Sequence, residues 1–339
     1  MPPLPPTAKP LPRLVTYYQT HHFDSEGHRH ISILPLINQP GIAITHLVLA
    51  AIHINEDPMA ITLNDHHPSH KRFHKLWHEV ATLQAAGVKV MGMLGGAAKG
   101  SYGRLDGSDE QFERYYWPVR DMIRKRGLDG LDLDVEEEMS LGGVIRLIDR
   151  LRADFGPGFI ITLAPVATAL LDVTKNLSGF DYEALEVMRG KDIAWYNTQF
   201  YCGWGDCSTP FMYDLIASRG WPPEKVVVGL VTNPANGNGF VPWQPLGAVL
   251  TVLRGRYGNF GGVMGWEYFN SLPGGTERPW LWAKEMTKLL RGSLFEDEQR
   301  QAEEARNAWK KSELDPDGSP GGTPPVPGHF EYHSDGVVE

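Results

Sequence analysis

Residues 129–138 read DGLDLDVEEE, and carboxylates alternate with apolar side chains along most of this stretch. Because successive side chains of an extended strand point to opposite faces, Asp132, Asp134 and Glu136 share one face, at roughly 6.6 Å for each two-residue step. Three acids in a partly desolvated place cannot all ionise easily, so at least one keeps its proton to higher pH. The pattern therefore predicts a site of general acid–base chemistry.

The acidic segment is one of eight short apolar or β-branched runs, whose starts recur about every 36 residues. The runs are residues 13–19, 45–53, 88–94, 128–136, 159–165, 193–201, 226–232 and 262–268. Helical patterns fill the gaps, and one of them opens with Ser108 and Gln111 at capping-box spacing. This alternation predicts an α/β fold, a (β/α)8 TIM barrel in one domain. A doubly wound open sheet is disfavoured, because no phosphate-binding glycine turn follows the first run.

In such a barrel Leu131, Leu133 and Val135 are expected to pack outward under the helices, with the three acids pointing inward. Glu136 then falls at the C-terminal end of its strand, the face on which barrels build active sites. Asp129 and Gly130 are expected to form the turn into the strand, with the Asp129 carboxylate accepting hydrogen bonds from backbone N–H groups.

Composition shifts at both ends predict the domain limits. Residues 1–11 form a proline-rich lead-in, residues 12–291 the catalytic barrel, and residues 292–339 an acidic tail that is first partly helical and then disordered. The formal net charge is −9, and the stretch from Ser293 onward holds eleven acids and four bases, which leaves −2 for the rest. A nearly neutral body argues against nucleic acid or a membrane as partner. No signal peptide is evident, so a cytoplasmic protein is expected.

Histidines and cysteines provide no strong site pattern. The histidine-rich stretches lack the helical spacing and intervening glutamate of a zinc hydrolase, so neither a metal site nor a cofactor is predicted. His21 or His22 follows the first run and is expected to border the cleft. Cys202 and Cys207 are too few for a disulfide framework, and whether they form a local bridge is left open.

The acidic segment also resembles a family signature. DGLDLDVE matches the DGxDxDxE motif of glycoside hydrolase family 18, which contains chitinases and endo-β-N-acetylglucosaminidases. MLGG at residues 93–96 resembles the SxGG element of that family, TQFY at residues 198–201 resembles its QFY motif, and Trp266 falls where the family places a tryptophan under the sugar. The resemblance covers residues 13–291 and implies the same barrel.

The sequence departs from the family pattern at two positions. Met93 stands in place of the usual serine, which removes one polar contact, and Val135 in place of a frequent aromatic residue, which leaves more room near the acid. Glu137 and Glu138 extend the acidic run and are expected to be solvated loop residues.

The resemblance implies substrate-assisted catalysis, an exception to the scheme with two protein carboxylates. Glu136 would protonate the leaving oxygen, and the 2-acetamido carbonyl of the sugar would attack its own anomeric carbon. Asp134 would orient the acetamido group with help from Tyr201, and Asp132 would share a proton or hydrogen bond with Asp134. The implied substrate-binding residues are Gln199, Trp266, Tyr17, Gly95 and Gly96.

The implied function is that of a monomeric, retaining, endo-acting chitinase whose partner is an N-acetylglucosamine-containing oligo- or polysaccharide. An endo-β-N-acetylglucosaminidase that cuts the chitobiose core of N-glycans is the first alternative, because a cytoplasmic protein would meet free oligosaccharides more often than chitin. An inactive, lectin-like barrel is the second, since this fold also serves carbohydrate binding. The short segment between the last two strands leaves no room for an inserted domain, so an open cleft is expected.

Overall fold

The structure is a computed structural model that describes residues 11–24, 26, 29–292, 304 and 307. The predicted proline-rich lead-in and acidic tail lie almost wholly outside these residues. Across the described part of the chain, no helix is long and apolar enough to cross a membrane.

Eight parallel strands close into a barrel, which confirms the predicted (β/α)8 fold. The hydrogen-bonded order is β1-β9-β8-β7-β6-β5-β4-β2, and a β1–β2 pairing completes the ring. A short additional strand, β3, pairs antiparallel with the end of β2. The strands are β1 (Arg13–Tyr18), β2 (His46–His53), β3 (Thr62–Leu63), β4 (Lys89–Gly95), β5 (Gly130–Asp134), β6 (Ile160–Leu163), β7 (Trp195–Gln199), β8 (Val226–Val231) and β9 (Gly262–Trp266).

Helices lie between the strands and cover the outside of the barrel. They are α1 (Pro35–Asn38), α2 (His74–Ala85), α3 (Ser101–Leu105), α4 (Asp109–Arg126), α5 (Leu141–Phe155), α6 (Tyr182–Arg189), α7 (Phe211–Ser218), α8 (Trp243–Arg256) and α9 (Trp280–Arg291). The predicted cap of α4 is present, because the Ser108 hydroxyl accepts from the backbone N–H of Gln111. Gly127 ends this helix in the left-handed conformation, as its lack of a Cβ allows.

The apolar side chains form two layers. Leu131 and Leu133 belong to the large core between the strands and the helices, as expected from their alternation with the aspartates. A second, smaller cluster fills the inside of the barrel and includes Tyr17, Met93 and Trp195. The interior is therefore packed, and the inward-facing polar groups of β5 lie among these side chains.

The entry into β5 forms as predicted. The Asp129 carboxylate accepts from the backbone N–H of Val90 at 2.9 Å and from the Gln84 side-chain amide at 2.8 Å. The strand itself is shorter than the predicted run of residues 128–136, because β5 ends at Asp134. Glu136 consequently lies two residues beyond the strand, in the loop at the C-terminal mouth of the barrel.

Gly130 provides the first testable prediction. A Cβ at this position would lie 2.3 Å from the carbonyl oxygen of Ile160, on the neighbouring strand β6. Since the contact is with backbone, Gly130→Ala is expected to lower the free energy of unfolding by roughly 2–4 kcal/mol in urea denaturation. Gly103→Ala is the matched control: a Cβ there meets nothing within 4 Å. It lies in a helix, so it should leave stability unchanged or raise it by up to about 1 kcal/mol. Equal stability of both variants would contradict the prediction.

Candidate active site

Asp132 lies inside the barrel and is completely buried. The hydroxyl of Tyr17 donates to its Oδ2 at 2.6 Å, from β1, which β2 and β4 separate from β5. Its Oδ1 accepts from the Thr162 hydroxyl at 2.5 Å and from the Asn197 amide at 3.0 Å. Three neutral donors thus surround this carboxylate. Predicted as a sugar contact, Tyr17 is itself only 1% exposed, and its hydroxyl is engaged by Asp132.

Asp134 and Glu136 are joined by a shared donor. The side-chain amide of Gln199, at the end of β7, donates to Asp134 Oδ1 at 3.3 Å and to Glu136 Oε1 at 3.2 Å. The same nitrogen bonds to the carbonyl oxygen of Ala164 at 3.0 Å. Asp134 and Gln199 are buried, whereas Glu136 is partly exposed. The structure therefore brings the predicted acids together and gives Gln199 a direct contact with two of them.

Burial and mutual repulsion decide the protonation of the two aspartates. Burial, followed by the charges of Glu136 and Asp132, raises the pKa of Asp134 well above its ordinary value. Burial also raises the pKa of Asp132, but the hydrogen bonds from Thr162, Tyr17 and Asn197 act in the opposite direction. Asp132 is therefore the better anion, and a proton shared by the pair resides on Asp134.

The glycine pair after β4 lets the backbone approach Asp134 closely. Both glycines have positive φ angles, +90° for Gly95 and +86° for Gly96. The backbone N–H of Gly96 donates to the carbonyl oxygen of Asp134 at 2.9 Å. A Cβ on Gly95 would meet the Tyr102 ring at 2.4 Å and the Asp134 carbonyl oxygen at 2.6 Å. The pair thus holds β4 against the acidic strand, and its predicted contact with a sugar stays a prediction.

Tyr201 and Trp266 stand at the mouth of the barrel beside the acids. No described residue hydrogen-bonds to the Tyr201 hydroxyl, although this side chain belongs to the interior cluster. Burial, followed by the charges of Asp134 and Glu136, raises its pKa well above the ordinary value, so the hydroxyl keeps its proton and can donate. Trp266 is partly buried and meets the Tyr17 ring edge-on, with centroids 5.6 Å apart.

The expectation for Glu137 was wrong. Its carboxylate accepts from the backbone N–H groups of Gly100 and Tyr102 at 2.7 Å and 2.8 Å, at the start of α3. An acid at a helix N-terminus is favourable because it satisfies free N–H groups and complements the helix dipole. Glu138 is exposed, as predicted. The acidic run thus contains two buried aspartates, the partly exposed Glu136, a glutamate that binds the start of α3 and one exposed residue.

A polar cleft of about 680 Å³ opens on the same face of the barrel, beyond the ends of β1, β2 and β3. It is lined by Gln19, Thr20, His21, His22 and Asn64, among other residues, but by none of the three acids, so the expectation that His21 or His22 borders the substrate cleft stays a prediction. No group of three or more His, Cys, Asp or Glu side chains within the described ranges could hold a metal ion. Cys202 is exposed and Cys207 is buried, and both are free thiols, so no local bridge forms.

Sequence reasoning missed the partners of Asp132. Thr162, Asn197 and the Trp195 indole that bonds to Asn197 at 2.8 Å all lie inside the barrel. The signal was present for two of them, because Trp195 and Asn197 precede Gln199 at steps of two and must share its inward face. Thr162 was the single polar residue of an apolar run and gave a weaker signal.

The barrel is closed, and carboxylates with different pKa values lie at its C-terminal mouth. This arrangement is typical of barrel proteins that perform general acid–base chemistry. The chain matches the family model Glycosyl hydrolases family 18 over residues 13–285, and it belongs to that family.

Two solved structures are similar over nearly their whole length. A fungal endo-β-N-acetylglucosaminidase of family 18 shares 53% sequence identity and a TM-score of 0.80, covering 83% of this chain and 99% of that one. The chitinase ChiC from Aspergillus fumigatus shares 58% identity and a TM-score of 0.74, covering 81% and 98%. Chitinase 2 of Rhizopus oligosporus is 30% identical in an alignment of 208 residues that covers 56% of this chain but only 35% of that protein. The chain thus spans about a third of the length of this curated relative.

The pKa of Asp134 can be tested directly. We expect carbon-detected NMR titration to show a carboxyl that ionises well above the ordinary aspartate range, because the group is buried and lies beside two other acids. In Glu136→Gln this pKa should fall, since the substitution removes the neighbouring charge that has the largest effect on it. Glu137→Gln is the matched control, because this side chain bonds to α3 instead. An Asp134 pKa that moves equally in both variants would disprove the assignment.

Proposed function

We propose that this protein is a retaining glycoside hydrolase that cleaves β-1,4-linked N-acetylglucosamine by substrate assistance. The observation that carries the proposal is the unequal acid constellation, in which Asp134 and Glu136 share one amide donor while Asp132 is held below by three others. Glu136 is the only one of the three that is appreciably exposed, so it is the acid that can reach a glycosidic oxygen.

The proposed first step joins proton transfer to attack by the substrate. Glu136 gives its proton to the leaving oxygen, the glycosidic C–O bond breaks, and the acetamido carbonyl oxygen forms a bond to the anomeric carbon. Asp134 orients the acetamido group and stabilises the positive charge of the oxazolinium, with the free Tyr201 hydroxyl donating to the same group. In the second step the Glu136 carboxylate takes a proton from water while the water oxygen bonds to the anomeric carbon. The bond between that carbon and the acetamido oxygen breaks, which opens the oxazolinium ring with overall retention.

The same constellation argues against a binding protein without activity. A barrel that only binds sugar has no need of three clustered acids, because burying them without a cation costs stability. All three acids are present here, and the proton-bearing Asp134 lies beside the partly exposed Glu136. Trp266 at the mouth offers an aromatic surface for the sugar ring, as stacking on an apolar face requires.

Our first candidate for the substrate is chitin, cut internally. Between β8 and β9 the chain forms only a short turn and α8, so no inserted domain encloses the cleft, and an open cleft suits internal cleavage. The N-glycan core is the second candidate. The similarity to both a chitinase and an endo-β-N-acetylglucosaminidase supports keeping the two, since both substrates contain N-acetylglucosamine linked β-1,4 to its like.

Product analysis tests the activity and the substrate together. The wild type, Glu136→Gln and Glu138→Gln are incubated with chitin oligosaccharides and with a high-mannose N-glycan, and the products are identified by mass spectrometry. We expect short N-acetylglucosamine oligomers, with the rate reduced at least about 100-fold in Glu136→Gln because the proton donor is lost. Glu138→Gln, a change at an exposed residue, should retain full rate.

The other outcomes of this experiment each have a definite meaning. If the N-glycan is cut between its two core sugars and chitin is not cleaved, the protein is an endo-β-N-acetylglucosaminidase instead of a chitinase. Binding of either sugar without cleavage by the wild type would refute the hydrolase and leave a lectin-like barrel.

Substrate assistance makes a separate prediction about the acyl group. Fluorine withdraws electrons from the acetamido carbonyl, so replacing acetyl by mono-, di- and trifluoroacetyl should lower kcat/KM stepwise, by at least about tenfold for the trifluoro compound. The substrates are fluorogenic chitobiosides with the same leaving group, so the bond that is cleaved stays the same across the series. A rate independent of fluorine content would show that the acetamido group is not the nucleophile.

A further inference from the structure

We propose that Asn197, held in one orientation by the indole of Trp195, is a positioning residue that keeps the proton of the aspartate pair on Asp134 and not on Asp132. This inference deepens the proposed function and rests on it for its kinetic consequence. Its electrostatic part concerns the resting protein and can be tested without any turnover.

The orientation of the Asn197 amide follows from the chemistry of its neighbour. The Trp195 Nε1–H lies 2.8 Å from Asn197 Oδ1, and because an indole nitrogen can only donate, the atom that accepts must be the amide oxygen. The amide nitrogen therefore faces Asp132 Oδ1, at 3.0 Å.

Asn197 differs from the other two donors to Asp132 in one respect. The hydroxyls of Tyr17 and Thr162 can donate to a carboxylate or accept from a protonated acid, so they fit either state of Asp132. An amide N–H can only donate, and it bonds more strongly to a charged carboxylate than to the neutral acid. Asn197 therefore favours the anion of Asp132, and the shared proton resides on Asp134.

Trp195 is fixed in turn by groups near the opposite end of the barrel. The Arg13 guanidinium lies 4.5 Å from the centre of the indole ring, and the His46 ring lies edge-on at 4.6 Å. Trp195 is only 3% exposed, so its ring has no room to turn. Burial lowers the pKa of His46 to about 3, so this ring is neutral, while Arg13 keeps its charge with a pKa of about 10.

The other groups that face Asp132 supply no positive charge that would favour its anion. They are neutral phenols, whose pKa values burial raises, or acids that share its charge, and no cation contributes to its pKa among the described residues. The phenols are Tyr17 from β1, Tyr102 from α3, Tyr182 from α6 and Tyr201 after β7, and the acids are Asp134 and Glu136.

The expected pH effect has a definite sign. The lower macroscopic pKa of the pair describes the change from two protons to one, in which the Asp132 anion appears. The Asp132 anion is less stable when it loses a hydrogen-bond donor, and the lower macroscopic pKa therefore rises. Activity on the acidic side of the profile would then begin only at higher pH, while the basic limb stays in place because Asp132 is an anion on both sides of it.

The experiment measures the pH profile of kcat/KM and the carboxyl NMR titration for the wild type, Asn197→Leu and Trp195→Phe. A lost hydrogen bond to a charged group predicts that the acidic limb and the lower pKa rise by about one to two pH units in Asn197→Leu. Trp195→Phe removes the orienting N–H together with part of the ring but leaves the Asn197 amide in place, so a smaller shift in the same direction is expected. This second variant keeps the test possible if Asn197→Leu does not fold.

Trp221→Phe is the matched control. Its indole also donates a buried hydrogen bond, to the carbonyl oxygen of Leu170 at 2.9 Å, but outside the barrel interior. This variant should leave both the acidic limb of the kcat/KM profile and the carboxyl titration unchanged. Folded Asn197→Leu and Trp195→Phe variants with a lower kcat but an unmoved lower pKa would overturn the proposal, because a merely structural role predicts that pattern. If the wild type shows no hydrolysis, the proposed function fails, and the titration alone still decides the role of Asn197.

Discussion

A buried pair of carboxylic acids, with no described cation to neutralise it, is the constraint on which the rest of the site depends. Asp132 is fully buried and Asp134 nearly so, and the partly exposed Glu136 follows two residues later. In a medium of low polarisability such acids cannot all be ionised. The protein must therefore hold a proton among them, and its neutral donors decide where that proton resides.

Those donors come from strands that are far apart in the chain. Tyr17 lies on β1, Thr162 on β6 and Asn197 on β7. All three side chains reach one carboxylate because they point into the interior of the closed barrel. Gln199 repeats the arrangement one layer higher, between Asp134 and Glu136. The site is thus a stack of two polar layers, and the lower one stabilises an anion while the upper one holds an acid beside the cleft.

The departure at Met93 is consistent with this arrangement. The family element has a serine where this chain has methionine, and Met93 lies in the apolar cluster inside the barrel. Asp132 nevertheless has two donors on Oδ1 and one on Oδ2, supplied by Thr162, Asn197 and Tyr17. A hydroxyl at residue 93 is therefore not required to satisfy this carboxylate. Its donors lie outside the acidic motif itself.

The sequence by itself determined the barrel, the strand that carries the acids and the division of inward and outward residues. It could do so because strand periodicity and helix caps are local, as the alternation around Leu133 and the cap at Ser108 illustrate. It did not determine that Glu136 lies beyond the strand, that Glu137 binds the start of α3, or that Thr162 and Asn197 bond to Asp132. Those contacts join residues some 30 to 65 positions apart. Only the closed tertiary structure decided them, because the distance between two side chains from different strands depends on barrel register, and no local pattern encodes it.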